Sequence, residues 1–206
     1  MICPVRGTAK LVLVSVLLAV PGVLATGCGS ERGEAPDLKA LGPGGDLVAF
    51  TSRREEASFR HPESWAVSNG TSPQVAQLAT GGALVSVYAY PRDDLGSDDG
   101  SVEAARDRLI ESLRERAPGF LVQRTRIGEI DGSPSVEIRG RGTIEGRQVE
   151  SRSTHVYKEA VEWVIDAYAR PSQFEEANRI AFGPLLSSIE LSETVETEEF
   201  DSGLGG

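Results

Sequence analysis

The chain is predicted to be an α+β protein, a central antiparallel β-sheet flanked by helices and preceded by a lipoprotein signal peptide. Three observations predict it. Apolar residues alternate at period two in most of the segments between positions 47 and 169. One segment, Ser101 to Ala117, instead carries a stripe at helical spacing. Two dipeptides, Asp131-Gly132 and Glu145-Gly146, have the form of two-residue hairpin turns between long strand-like runs.

Arg6 and Lys10 form a short basic region, followed by an apolar run from Leu11 to Ala25 that Pro21-Gly22 interrupts. That run is shorter than the roughly 20 residues a membrane-crossing helix needs, and the layout is that of a secretory signal. Leu24-Ala25-Thr26-Gly27-Cys28 resembles the lipobox of bacterial lipoproteins in a relaxed form, with Ala25 where a branched apolar residue is the rule. The resemblance implies lipidation at Cys28 after removal of residues 1–27. The expected location is therefore the cell membrane, lipid-anchored, on its extracytoplasmic side.

Cleavage removes Arg6 and Lys10, leaving 19 basic residues against 31 acidic ones, a formal charge of −12. No concentrated positive face is foreseen, so nucleic acid is excluded as a partner and a polybasic grip on anionic lipid is not expected. Cys3 leaves with the signal, so the mature chain forms no internal disulfide. Gly29 to Asp46 is rich in Gly and Pro and reads as a flexible tether, giving expected boundaries of 1–27 signal, 28–46 tether and 47–191 domain. Residues 192–206, acidic and ending in glycine, read as a disordered tail.

Within the domain, Leu47 to Thr51 begins the strands. Ala57 to Arg60 and Trp65 to Ser68 flank His61-Pro62-Glu63-Ser64, a turn-like tetrad. Gln74 to Ala79 and Ala83 to Tyr90 are joined by Thr80-Gly81-Gly82, and both faces of the second carry apolar atoms, the mark of a central strand. In the helix, Val102, Ala105, Leu109 and Leu113 form the stripe, Ser101 caps it and Pro118-Gly119 stops it. Three further hairpin-linked strands, Phe120 to Ile130, Ser135 to Ile144 and Arg147 to Tyr157, lead to Val161 to Ala169, again apolar on both faces. A closing helix opens with a capping box, Ser172 with Glu175, and is expected to break at Gly183-Pro184.

These landmarks carry a wider resemblance. Phe59-Arg60-His61-Pro62-Glu63-Ser64-Trp65, the helix from Ser101, Ile130-Asp131-Gly132-Ser133-Pro134-Ser135, the strand Trp163 to Tyr168 and the closing Phe174 to Leu185-Leu186-Ser187-Ser188 together resemble the Mog1/PsbP-like fold, of which small actinobacterial lipoproteins are examples. The resemblance implies a binding or scaffolding module and brings no catalytic residue with it. A small GTPase, bound by one branch of that fold, is excluded here by the exported location.

Chemistry is sparse. The serines lack a nucleophile elbow, and no phosphate-cradling loop or Cys/His zinc spacing is present, so no catalytic residue and no cofactor is nominated. The acidic loop Asp93-Asp94-Leu95-Gly96-Ser97-Asp98-Asp99 lacks the spacing of a calcium loop, and Asp98 and Asp99 are explained by the helix dipole, so no metal is expected. His61 reads as a packing or capping group. Ser151, Ser153, His155 and Tyr157 share one face of their strand, either a polar ligand-binding row or the half-exposed face of an edge strand. Trp65, Tyr88, Trp163 and Tyr168 are candidates, with His155, to line a small-ligand pocket between sheet and helix. The leading expectation is a non-enzymatic, lipid-anchored envelope module that binds another protein. A carrier of a small apolar or lipidic ligand is the alternative, and a hydrolase ranks third.

Overall fold

The computed structural model describes residues 40–54, 56–92 and 101–195. Cys28, the signal segment, the acidic loop at 93–99 and residues 196–206 of the tail lie outside the described residues.

Among the described residues, ten strands form two antiparallel sheets. The small sheet has the order β1-β2-β10, from Leu47–Thr51, Ala57–Pro62 and Glu190–Leu191. The large sheet runs β3-β4-β5-β9-β8-β7-β6. Its strands are Ala66–Asn69, Gln74–Thr80, Ala83–Pro91, Leu121–Ile130, Ser133–Ile144, Arg147–Lys158 and Val161–Ala169, for β3 to β9 in chain order. The two strands with apolar atoms on both faces, β5 and β9, sit side by side in the middle and are buried almost throughout. Helix α1, Val102–Arg116, packs against β6 and β7, with Ser101 Oγ accepting from the Ala104 amide as its cap.

On one face of the large sheet lies the core. Val85, Val87, Trp163 and Ile165 pack there with Phe174, Phe182 and Leu185 of the closing helical segment. Phe182 contacts Trp65 edge-on at 6.1 Å and Phe174 at 5.7 Å. That segment is not broken at Gly183-Pro184. It runs α2 (Phe174–Ala177), a π-helical turn (Asn178–Phe182) and α3 (Gly183–Ser188) without a stop. A proline inside an α-helix clashes with the carbonyl four residues back and removes its hydrogen bond. The wider π turn, closed by Gly183 N–H to Asn178 O, accommodates Pro184 and rotates Phe182 into the core. The expected capping box does not form either. The cap position is Gln173, without a side-chain bond, and Glu175 reaches Arg139 Nη2 at 2.6 Å instead.

The domain is longer than its sequence boundaries at both ends. Residues 40–46, read as tether, are docked. Leu41 packs on the core, the Gly42 amide donates to Thr80 Oγ1 (3.0 Å), and Ser64 Oγ donates to Pro43 O (2.6 Å). Gly82 serves this contact, because a Cβ there would lie 2.5 Å from the Leu41 backbone. Past 191, Ser192 N–H donates to Glu56 O, its carbonyl accepts from Trp163 Nε1 (3.2 Å), and Val195 packs on the core.

His61 and Pro62 belong to β2 rather than to a turn, which is Glu63-Ser64, and the chain there crosses between sheets instead of forming a hairpin. His61 is buried, its Nδ1–H donating to Pro62 O (2.9 Å), and it lies edge-on to Phe50 and Phe59. Phe120 precedes β6, and its ring fills the space over Gly140, where a Cβ would approach it to 2.4 Å.

Both two-residue turns form as read, with φ of 49° and 72° at Asp131-Gly132 and 49° and 76° at Glu145-Gly146. Ile144 pairs with Arg147 across the second. Ile144-Glu145-Gly146-Arg147 also spells a well-known protease recognition sequence, cut after Arg147. A protease binds its substrate extended, so the native chain should resist cutting there while the urea-unfolded chain is cut. Rapid native cleavage with circular dichroism unchanged would contradict the tight hairpin.

Candidate functional site

The sheet face opposite the core carries a chain of polar groups. The strand alternation sets it up. Ser153, His155 and Tyr157 of β8 share one face, and pairing places Asp166, Val164 and Glu162 of β9 directly beside them. Ser86, Tyr88 and Tyr90 of β5 flank β9 on its other side. Because β8 lies between β7 and β9, this row is not the open face of an edge strand. His155 is 8% exposed and Asp166 2%.

The contacts run in series. Ser153 Oγ donates to Asp166 Oδ1 at 2.5 Å and lies 3.2 Å from His155 Nε2. His155 Nδ1 is 2.7 Å from Glu162 Oε1. The other oxygen of Glu162 accepts from Arg92 Nη1 at 2.5 Å. Burial alone would raise the pKa of Glu162. The hydrogen bonds and charges of His155 and Arg92 outweigh it and hold the carboxyl below its usual range. Tyr157, opposite Glu162, has its phenol pushed up by burial and by the Glu162 charge, against opposing contributions from Arg92 and Arg108.

A serine, a histidine and a carboxylate in hydrogen-bonded series are the parts of a nucleophilic triad. Their polarity here is wrong for one. The Ser153 proton is directed at Asp166 and not at His155 Nε2, whereas a nucleophile gives its proton to the base. The described strand amides around Ser153 offer no oxyanion hole. Ser153 sits mid-strand, paired with Ile138 on one side and Asp166 on the other, so the nearby amides are spent on the ladders. The arrangement can tie β8 to β9 and hold Arg92 at the end of β5.

The five ligand candidates do not converge. Trp65 and Trp163 are buried in the core face, at 2% and 0% exposure, while Tyr88, His155 and Tyr168 lie on the opposite face. An alternating strand sends neighbours to opposite sides, so Trp163 and Tyr168 cannot share a pocket. Glu162, Asp166 and Arg92 were passed over in the sequence. Their signal is two carboxylates at alternate positions of an otherwise apolar strand, Val161 to Ala169. Among the described residues no group of three His, Cys, Asp or Glu side chains is arranged to hold a metal ion, and no helix is long and apolar enough to cross a membrane.

No family model matches the chain, and no curated protein matches it in sequence. Solved structures do. The solution structure of cyanobacterial PsbP (CyanoP) from Synechocystis sp. PCC 6803 superposes with a TM-score of 0.55 at 12% identity, over 78% of this chain and 99% of that one. LpqN, described as involved in cell envelope biogenesis of Mycobacterium tuberculosis, superposes at 0.51 and 11% identity, over 73% and 87%. At such identities the likeness is one of fold alone, and the chain has the Mog1/PsbP-like fold that its sequence landmarks resemble.

Proposed function

We propose that the chain is a non-enzymatic binding module held on the outer side of the cell membrane by lipid at Cys28, where it engages another envelope protein. The observation that carries this reading is the closed polar series of the sheet face. Ser153, beside His155, has its proton committed to Asp166, and the histidine is committed to Glu162. The lipobox residues support the location. The fold shared with LpqN, a protein of envelope biogenesis, supports the kind of role. The carrier alternative draws less support, because Trp65 and Trp163 fill the core instead of lining a pocket with the tyrosines.

The test has two arms. Soluble protein beginning after Cys28 should show no turnover above background on ester, phosphoester or peptide substrates. The anchored protein should crosslink reproducibly to one or a few envelope proteins, and Cys28→Ser should lose those crosslinks through lowered local concentration. Hydrolysis that His155→Ala abolishes would replace this reading with an enzyme. Lipid co-purifying with the soluble domain would replace it with a carrier.

A further inference from the structure

The large sheet ends in two edges of different kinds. β3 is four residues long, whereas β6 has ten and pairs with β7 on one side only. The Asp131-Gly132 hairpin fixes which backbone groups β6 leaves open. The pair that closes a two-residue turn, here Ile130 and Ser133, exchanges both of its hydrogen bonds. Ile130, Gly128, Arg126 and Arg124 therefore turn their N–H and C=O to β7. Thr125, Ile127 and Glu129 turn theirs outward. Pro134 agrees with this phase, since it lacks an N–H and falls in β7 at a position turned away from β6. Among the described residues no backbone group bonds to the outer side of β6.

An open edge of this length is a template for another strand unless the chain blunts it. β6 is blunted at one end, where a bulge between Val122 and Arg124 breaks the register. From Arg124 to Ile130 the register is regular and the sequence has no proline, and Arg124, Arg126, Gly128 and Glu129 are all exposed.

The side chains select the strand that fits. Arg124 and Arg126 lie on the core face of the sheet. Arg124 stands opposite Arg139, and Glu137, opposite Arg126, is engaged by Arg152. Neither Arg124 nor Arg126 forms an ion pair among the described residues. Because both turn their backbone to β7, they would face an added strand at non-hydrogen-bonded positions. Opposed side chains come closest there, with Cα atoms about 4.5 Å apart. Carboxylates at those two places would meet both guanidinium groups, and cations would be repelled. Gly128 adds no side chain to that face, which leaves room for a bulky residue opposite it. An antiparallel segment therefore reads bulky-x-acid-x-acid. Leu121, 68% exposed at the start of β6, offers an apolar contact near the far end of that segment.

A second copy of β6 does not supply this pattern. When two identical edges pair antiparallel, residues of one phase meet residues of the same phase. Glu129 is out of phase with both arginines and lies on the other face, so no register sets it against them. Registers through this stretch oppose Arg124 and Arg126 to arginine, glycine or isoleucine instead. We propose that the open edge of β6 is a docking site that takes an extended acidic segment of a partner protein as an eighth, antiparallel strand of the large sheet, with carboxylates at two alternate positions meeting Arg124 and Arg126. The inference rests on the protein-binding reading above, to which it adds the surface and the chemistry of the segment recognised. It does not depend on lipid at Cys28.

The test is NMR of the chain from residue 29 onward, titrated with a short synthetic peptide of Thr and Val that carries Tyr, Glu and Glu at that spacing. One control has Lys for both Glu, and another is N-methylated at alternate residues so that it cannot pair as a strand. With the Glu peptide, the amide signals of Thr125, Ile127 and Glu129 should shift saturably and gain protection from hydrogen exchange. The Lys peptide should bind at least roughly tenfold more weakly, and the N-methylated one should not bind. Arg124→Glu combined with Arg126→Glu should reverse the order of the two charged peptides, a result that loss of the fold cannot produce. In the anchored protein the same double substitution should lose the envelope crosslinks of the wild type. Equal binding of both charged peptides, no saturable shift on β6, or protection of these amides that grows with protein concentration alone would overturn the proposal. Crosslinks that survive the double substitution would also overturn it, while leaving the protein-binding reading in place. Absence of crosslinks in the wild type would overturn that reading instead, and the order of the peptides would still decide what the edge binds.

Discussion

Glu162→Ala should destabilise the domain by about 2–4 kcal/mol, lowering the melting temperature by roughly 5–15 °C. Glu162 contacts both His155 and Arg92 along the polar series. Removing it leaves His155 facing a void and takes from the Arg92 guanidinium its carboxylate on β9. The figure lies below that of a fully buried pair because the Arg92 side chain is 27% exposed and water recovers part of the loss. Glu162→Gln should cost less, since the amide keeps the shape and one acceptor. Acid distinguishes the two explanations of any loss. The folded carboxyl is held below its usual range, so its contribution is present above the unfolded pKa and is lost as pH falls through the folded one. The gap between wild type and Glu162→Gln should therefore be full at neutral pH and close below roughly pH 4. Urea midpoints across that range measure it. A gap of less than about 0.5 kcal/mol at neutral pH, with no dependence on acid, would make the series an unengaged cluster of surface charge.

The parts legible in the sequence were those that a single strand or turn encodes by itself. Apolar atoms on both faces of Ala83 to Tyr90 and Val161 to Ala169 placed these strands at the centre, where β5 and β9 stand. Asp131-Gly132 and Glu145-Gly146 named their turns because few dipeptides accept positive φ at both positions. What stayed hidden depends on which strand lies beside which. The Ser153, His155 and Tyr157 row was visible, but its meaning turned on β9 bringing Glu162 and Asp166 alongside. Without that neighbour the same row reads as the edge of a sheet. The closing helix failed for a different reason. Gly183-Pro184 is a stop in an α-helix, and only a π turn, for which the 3.6-residue period gives no signal, carries the chain through it. The tether boundary missed because Leu41 is a single apolar residue without a period, and its burial depends on the space left by Gly82.

Cys28→Ser should abolish acylation outright, the largest effect expected of any single substitution here. The thiol is the lipid acceptor in the proposed anchor, and a hydroxyl does not replace it. On that reading the apolar run from Leu11, too short to span a bilayer, is removed with residues 1–27, and the remaining chain carries a formal charge of −12. Acyl chains contribute about 0.8 kcal/mol per buried CH₂, and two of them hold a protein stably where one is marginal. The substituted protein therefore has two fates. Cleaved protein should appear in the soluble fraction, while uncleaved precursor should remain with the membrane but retain residues 1–27. Intact mass separates these from each other and from the wild type, whose mature chain should begin at Cys28 and carry the added acyl mass. Wild-type and Cys28→Ser proteins that fractionate alike, with no acyl mass on either, would refute the anchor.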